Sequence, residues 1–149
     1  MRIATKGSKI DVSSEKKLEK FAKKLSSKLK PQEIFFLYGE MGVGKTTFVK
    51  YLINHLQTRC KQELTEVTSP TFNIMNEYII GNLSIKHYDL YRLNSPYEIK
   101  NLDLFDKEDE AILLIEWPQI IEQKPDSVFE LSFEYENEYQ NRFINFAIK

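Results

Sequence analysis

The run Gly39-Glu40-Met41-Gly42-Val43-Gly44-Lys45-Thr46 constrains this chain more than any other segment. It fits the pattern G-x-x-x-x-G-K-[ST], whose parts have separate physical tasks. Glycines let the backbone curl until successive N–H groups point inward at phosphate oxygens. Lys45 brings a positive charge to β- and γ-phosphates, and the Thr46 hydroxyl is placed to ligate Mg2+. A helix that starts here adds unpaired N–H donors and the positive end of its dipole. Such a loop works between a strand and a helix, and both flanks comply. Ile34-Phe35-Phe36-Leu37-Tyr38 is a short apolar run suited to a buried strand. Phe48, Val49, Leu52, Ile53 and Leu56 then recur at helical spacing.

With 149 residues the chain suits one domain, 1–149, with a core of useful size. No apolar run approaches the length of a membrane span, and the first residues lack the apolar stretch of a signal peptide. The lone cysteine, Cys60, permits no internal disulfide. A cytoplasmic location is the expectation. The net charge of −1 hides an asymmetry. Residues 1–61 carry 14 Lys and Arg against 5 Asp and Glu, and residues 62–149 carry 7 against 17. Lys16, Lys17, Lys20, Lys23, Lys24, Lys28 and Lys30 form either a solvated helix face or a docking surface for RNA or an acidic protein.

The first helix is expected to start at Ser13 or Ser14 and to end before Pro31, burying Leu18, Phe21, Ala22, Leu25 and Leu29. The loop helix runs to about Thr58, and Glu66-Val67-Thr68 reads as a short strand. Phe72–Ile80 and Leu83–Tyr88 flank Gly81-Asn82 and predict a β-hairpin. Leu83, Ile85, His87 and Asp89 then share one strand face. Ser95-Pro96-Tyr97-Glu98 reads as a capping box that opens a short helix. Ala111–Ile115 is a continuous apolar run, as in a buried parallel strand. Val128–Tyr135 and Phe143–Ile148 predict a closing antiparallel pair. The fold class is therefore α/β, a phosphate-loop NTPase-like mixed sheet flanked by helices, with a hairpin and a C-terminal strand pair. Ligands in such folds sit beyond the carboxyl ends of the strands.

A nucleotide hydrolase needs a carboxylate opposite the loop, to bind Mg2+ or to orient water. Asp89 and Glu116 each follow a strand. Glu116 is favoured, because an apolar central strand delivers it to a shielded edge where a metal ion would compensate its charge. Asp89 reads alternatively as a turn residue, and Glu116 as a local cap. Trp117 suits packing, Arg92 either phosphate or a structural ion pair, and His87 a packed or hydrogen-bonded strand residue. In Ser69-Pro70-Thr71, Thr71 can sense a γ-phosphate through its hydroxyl; a proline-fixed turn is the plainer reading.

Together, Gly39–Thr47, Ser69-Pro70-Thr71-Phe72, His87-Tyr88-Asp89-Leu90-Tyr91-Arg92-Leu93 and Leu114-Ile115-Glu116-Trp117-Pro118 resemble, in order and spacing, the TsaE (YjeE) family of bacterial ATPases. The resemblance spans about residues 10–135. Met41 and Val43 stand where the family commonly has leucine and alanine, at variable positions of the loop. The resemblance implies an ATPase that serves threonylcarbamoyladenosine modification of tRNAs reading codons that begin with A. It further implies a TsaB–TsaD heterodimer as partner. Carried over, Thr46 and Glu116 would hold Mg2+. Lys45 and the loop backbone from Gly39 through Gly42, Val43, Gly44 and Thr46 to Thr47 would hold ATP. Asp89 would join the catalytic cluster with Trp117 beside it.

Three other readings compete with this one. A small-molecule kinase usually encloses the transferred phosphate under an arginine-bearing lid. The four arginines, Arg2, Arg59, Arg92 and Arg142, form no such segment. A GTPase would carry N-K-x-D and D-x-x-G segments, which are absent from the sequence. A nucleotide-dependent binding module with negligible hydrolysis differs from the ATPase in its response to partners.

Overall fold

The structure, a computed structural model, describes residues 8–70 and 72–149. Along the chain it contains β1 (Ser8–Asp11), α1 (Glu15–Ser26), β2 (Ile34–Tyr38), α2 (Lys45–Arg59), β3 (Met75–Ile80) and β4 (Leu83–Asp89). Then come α3 (Pro96–Lys100), β5 (Ile112–Glu116), a 3-10 turn (Pro118–Ile120), β6 (Phe129–Glu136) and β7 (Asn141–Ile148). One sheet takes all these strands in the order β1-β7-β6-β2-β5-β4-β3. Its centre is parallel: β2 pairs with β5 and β6, and β5 with β4. Antiparallel strands finish both sides, β3 on β4 and then β7 and β1 beyond β6.

Alternation along the central strands builds two cores. Phe35 and Leu37 of β2 and Ile112 and Leu114 of β5 face one way, into a cluster with Phe21 and Leu25 of α1 and Phe48 and Leu52 of α2. Phe36, Leu113 and Ile115 face the other way, against Tyr88, Ile99 and Leu104. All of β5 is buried, as a strand covered on both faces requires. The two helices meet through Phe21 and Phe48, whose rings stack at 5.7 Å.

Several local expectations need correction. Helix α1 starts after the Ser14 cap, whose side chain accepts from Lys17 N–H, but it ends at Ser26 rather than near Pro31. Ser26 and Ser27 hydroxyls bond back to the carbonyls of Lys23 and Lys24, and Leu29 reaches the core from the loop. Residues 66–68 form no strand. The preceding Thr65 is instead tied to α2, through its N–H and hydroxyl to the Gln57 amide and its carbonyl to Asn54. The hairpin's first strand begins at Met75, not Phe72. Ile74 there takes a left-handed φ of 68° and its N–H bonds to Pro70 O, closing a turn that leaves Phe72 on the surface. The Ser95 side chain makes no cap bond; Pro96 alone marks the start of α3. Strand β1 is an addition to the expected elements, pairing with β7, and β6 does more than close a pair, since it also extends the parallel centre.

Gly39 follows β2 with φ +145°, a region that L side chains rarely adopt. A Cβ there would lie 2.8 Å from Val43 Cγ1 and 2.9 Å from the Phe133 carbonyl oxygen of β6. Backbone in a paired strand cannot step aside. Gly39→Ala is therefore expected to destabilise the fold by about 1–3 kcal/mol. Urea unfolding reads this as a lower midpoint; a midpoint equal to the parent's would contradict it.

Candidate functional site

Three parallel strands end side by side, and their last residues define the site. In the sheet register Glu116 of β5 stands opposite Leu37 of β2 on one side and Asp89 of β4 on the other. Ile112, Leu114 and Glu116 alternate onto the sheet face covered by α1 and α2. Ile85, His87 and Asp89 do the same along β4, so both carboxylates approach the start of α2. Each is well shielded: Glu116 is 3% exposed and Asp89 9%.

The loop between β2 and α2 supplies the opposing groups. Gly44 caps α2 with φ +120° and has no side chain to satisfy the first N–H groups. The helix ladder closes from Phe48 N–H to Gly44 O, which leaves the amides of Lys45, Thr46 and Thr47 for an anion. No acidic residue occupies that first turn. The Thr46 hydroxyl lies 3.2 and 3.4 Å from the two oxygens of Glu116. Lys45 is 4% exposed; its ammonium donates to the Gly39 carbonyl and sits 3.8 Å over the centre of the Trp117 ring. Burial lowers its pKa, while Glu116 and Asp89 pull in the opposite direction.

Trp117 reaches that position through strain. It takes φ 58° and ψ 53° immediately after β5, a conformation costly for a bulky residue. The turn sets its ring between Lys45 and Tyr91, whose ring centre is 4.8 Å away. Asp89 is anchored on both oxygens: Ser69 Oγ donates to one at 2.5 Å and the Tyr91 N–H to the other at 3.0 Å. Glu116 is anchored by His87, whose Nε2 lies 2.6 Å from Oε2.

A cavity of about 290 Å3 collects these groups. Gly42, Gly44, Lys45, Thr46, Thr47, Asp89, Glu116 and Trp117 line it together with Met41, Ser69, Tyr91 and Arg142. Gly39 and Val43 stand behind it: the Gly39 carbonyl holds Lys45, and Val43 is buried in the core. Thr71 lies outside the described residues. Arg92 does not line the cavity; its guanidinium stacks 5.0 Å over the Phe72 ring. A larger groove of about 700 Å3 runs along Glu40, β6 and the β6–β7 turn, but five glutamates line it, which disfavours phosphate.

Arg142 and Tyr135 are the contributors that sequence reasoning missed. Arg142 of β7 donates from Nη1 to the Val43 carbonyl at 3.3 Å, and its own N–H donates to Ser13 Oγ at 3.0 Å. Tyr135 of β6 donates its hydroxyl to Gly42 O at 3.1 Å. Both buttress the loop from the far end of the chain. Neither carries a local pattern; their roles arise from the β6–β7 register, which pairs Tyr135 with Arg142.

The donor set fits a hard cation held with a nucleotide. One hydroxyl and one carboxylate oxygen pair suit Mg2+, which takes few protein oxygens and completes its shell with phosphates and water. The curled glycine loop and bare helix start suit the phosphates themselves.

Comparison with known proteins agrees with this architecture. Residues 12–144 match the family described as threonylcarbamoyl adenosine biosynthesis protein TsaE. The chain is 42% identical over 110 residues to a Rickettsia felis protein named tRNA threonylcarbamoyladenosine biosynthesis protein TsaE; this covers 74% of the chain and 62% of that protein. It is 38% identical to a Borreliella burgdorferi protein of the same name, over 83% of the chain and 89% of that protein. The crystal structure of Bacillus subtilis YdiB superposes with a TM-score of 0.74 at 24% identity, covering 95% of this chain and 86% of the other, which shows the shared fold. The chain belongs to the TsaE family.

Proposed function

We propose that this chain is a Mg2+-dependent ATP-binding protein and ATPase that serves threonylcarbamoyladenosine modification of tRNA, acting in the cytoplasm with a TsaB–TsaD complex. The observation that carries the nucleotide half is the meeting of Thr46 and Glu116 at the start of α2, 3.2 Å apart and beside Lys45. The biological half rests on the names of the relatives and on the resemblance to TsaE proteins.

In this reading each residue has a defined task. The amides of the loop and of the first turn of α2 bind phosphate oxygens, and Lys45 adds its charge once those oxygens compete with the Gly39 carbonyl. Thr46 and Glu116 hold the metal, which when bound neutralises developing charge on the phosphoryl oxygens. Asp89 orients groups at the reacting end of the cavity. Trp117 shields Lys45 from water, so that its interaction with phosphate is made in a medium of low polarity. Arg142 and Tyr135 hold the loop carbonyls away from the anion.

A second reading, a nucleotide-dependent binding module with negligible hydrolysis, is favoured by one observation. Both Asp89 oxygens already accept hydrogen bonds, from the Ser69 hydroxyl and the Tyr91 amide, so an attacking water would have to compete with these donors for the carboxylate.

Two substitutions test the assignment. Lys45→Ala removes a charge-assisted contact and is expected to weaken ATP binding by about 10–100-fold and to abolish hydrolysis. Calorimetric titration that finds parental affinity would refute the loop as the binding site. Glu116→Ala is expected to keep measurable nucleotide binding but to lose Mg2+-dependent turnover by about 100-fold or more. Turnover at the parental rate would move the acidic role to Asp89.

A further inference from the structure

His87 is fully buried on β4, and the nucleotide reading gives it no contact with the ligand. Its Nε2 lies 2.6 Å from Glu116 Oε2, while its Nδ1 is buried without a hydrogen-bond partner among the described residues. A ring placed only to fill space would be better as leucine, because an unpartnered buried nitrogen carries a desolvation cost. The strand around it shows what filling space looks like: Ile85, two residues earlier on the same face, is fully buried and apolar. The bond to Glu116 must therefore offset what Nδ1 loses. With Glu116 ionised, as a cation ligand is, that bond requires an N–H at Nε2, since two bare acceptors at this distance would repel.

The bond also settles how Glu116 is oriented. Oε2 is held by His87 from the β4 side, and Thr46 approaches both oxygens from the α2 side. With Oε2 pinned, the carboxylate plane cannot rotate freely, and both oxygens are kept close to the Thr46 hydroxyl, Oε2 at 3.2 Å and Oε1 at 3.4 Å. From this geometry we propose that His87 is a positioning residue: its Nε2–H fixes Glu116 so that one carboxylate oxygen and the Thr46 hydroxyl are presented together to a divalent cation. The inference rests on the Mg2+-nucleotide reading of the site. His87 touches neither the nucleotide nor the metal, so its effect is on metal affinity rather than on phosphate affinity.

The test measures Mg2+ binding to the purified full chain saturated with ADP, by calorimetry, alongside ADP affinity in EDTA. His87→Leu keeps the bulk and removes the donor. Mg2+ affinity is expected to fall by about 10–100-fold, with ADP affinity in EDTA within about threefold of the parent. His87→Gln, whose amide nitrogen can occupy the place of Nε2, is expected to recover most of the loss. His87→Leu with parental Mg2+ affinity would overturn the proposal. If His87→Leu loses cooperative melting, His87→Gln and His87→Asn decide instead, since the shorter asparagine amide falls short of Glu116. Parental affinity in the glutamine variant and weak affinity in the asparagine variant support the proposal; equal affinities overturn it. A parent chain whose ADP binding ignores Mg2+ would defeat the Mg2+-nucleotide reading and this inference with it. A parent that responds to Mg2+ while all variants match it would defeat this inference alone.

Discussion

The contact on which the site depends is the approach of the Thr46 hydroxyl to the Glu116 carboxylate, across 70 positions of sequence. A carboxylate at 3% exposure is unfavourable unless donors or a cation surround it. Here the donors come from two directions, His87 on the neighbouring strand and Thr46 at the head of α2. The sheet makes this possible. Parallel pairing of β2, β4 and β5 brings three carboxyl ends to one level, and side-chain alternation turns Glu116 and Asp89 toward the same helix start.

The rest of the molecule serves that arrangement. The apolar cluster beneath it, from Phe35 and Leu37 to Phe48 and Leu52, fixes α2 against the sheet. Lys45 is then buried among groups that can take its charge: the Gly39 carbonyl, the Trp117 ring and, through space, Glu116 and Asp89. The loop is held from behind as well. Gly39 leaves no room for a side chain against Phe133, and Tyr135 and Arg142 engage the carbonyls of Gly42 and Val43. Preorganisation of this kind spares a bound anion the cost of ordering the loop.

Much of this was legible because it is written locally. The glycine pattern, the apolar run 34–38, the helical spacing after Lys45 and the continuous run before Glu116 each name their element without reference to distant residues. Alternation on β4 likewise placed His87 and Asp89 on one face. What escaped depends on long-range pairing. Strand β1 exists because β7 offers it an edge, and Arg142 and Tyr135 reach the loop because β6 and β7 pair in one register. The mistaken strand at 66–68 and the late start at Met75 have a related cause. Asn54 and Gln57 of α2 hold the backbone of Thr65 just before that segment, the Asn76 side chain of β3 reaches the Thr68 carbonyl, and the turn from Pro70 to Ile74 delays the hairpin. The direct contact between His87 and Glu116 follows from the adjacency of β4 and β5, which no single strand pattern reveals.

The measurement that bears most directly on the account is ATP hydrolysis by the purified chain, alone and with TsaB–TsaD, in matched Mg2+ buffers. The proposed ATPase role predicts slow hydrolysis by the chain alone and a strong rise when the partners are added. Equal rates with and without the partners would contradict an ATPase that works within the threonylcarbamoyladenosine machinery.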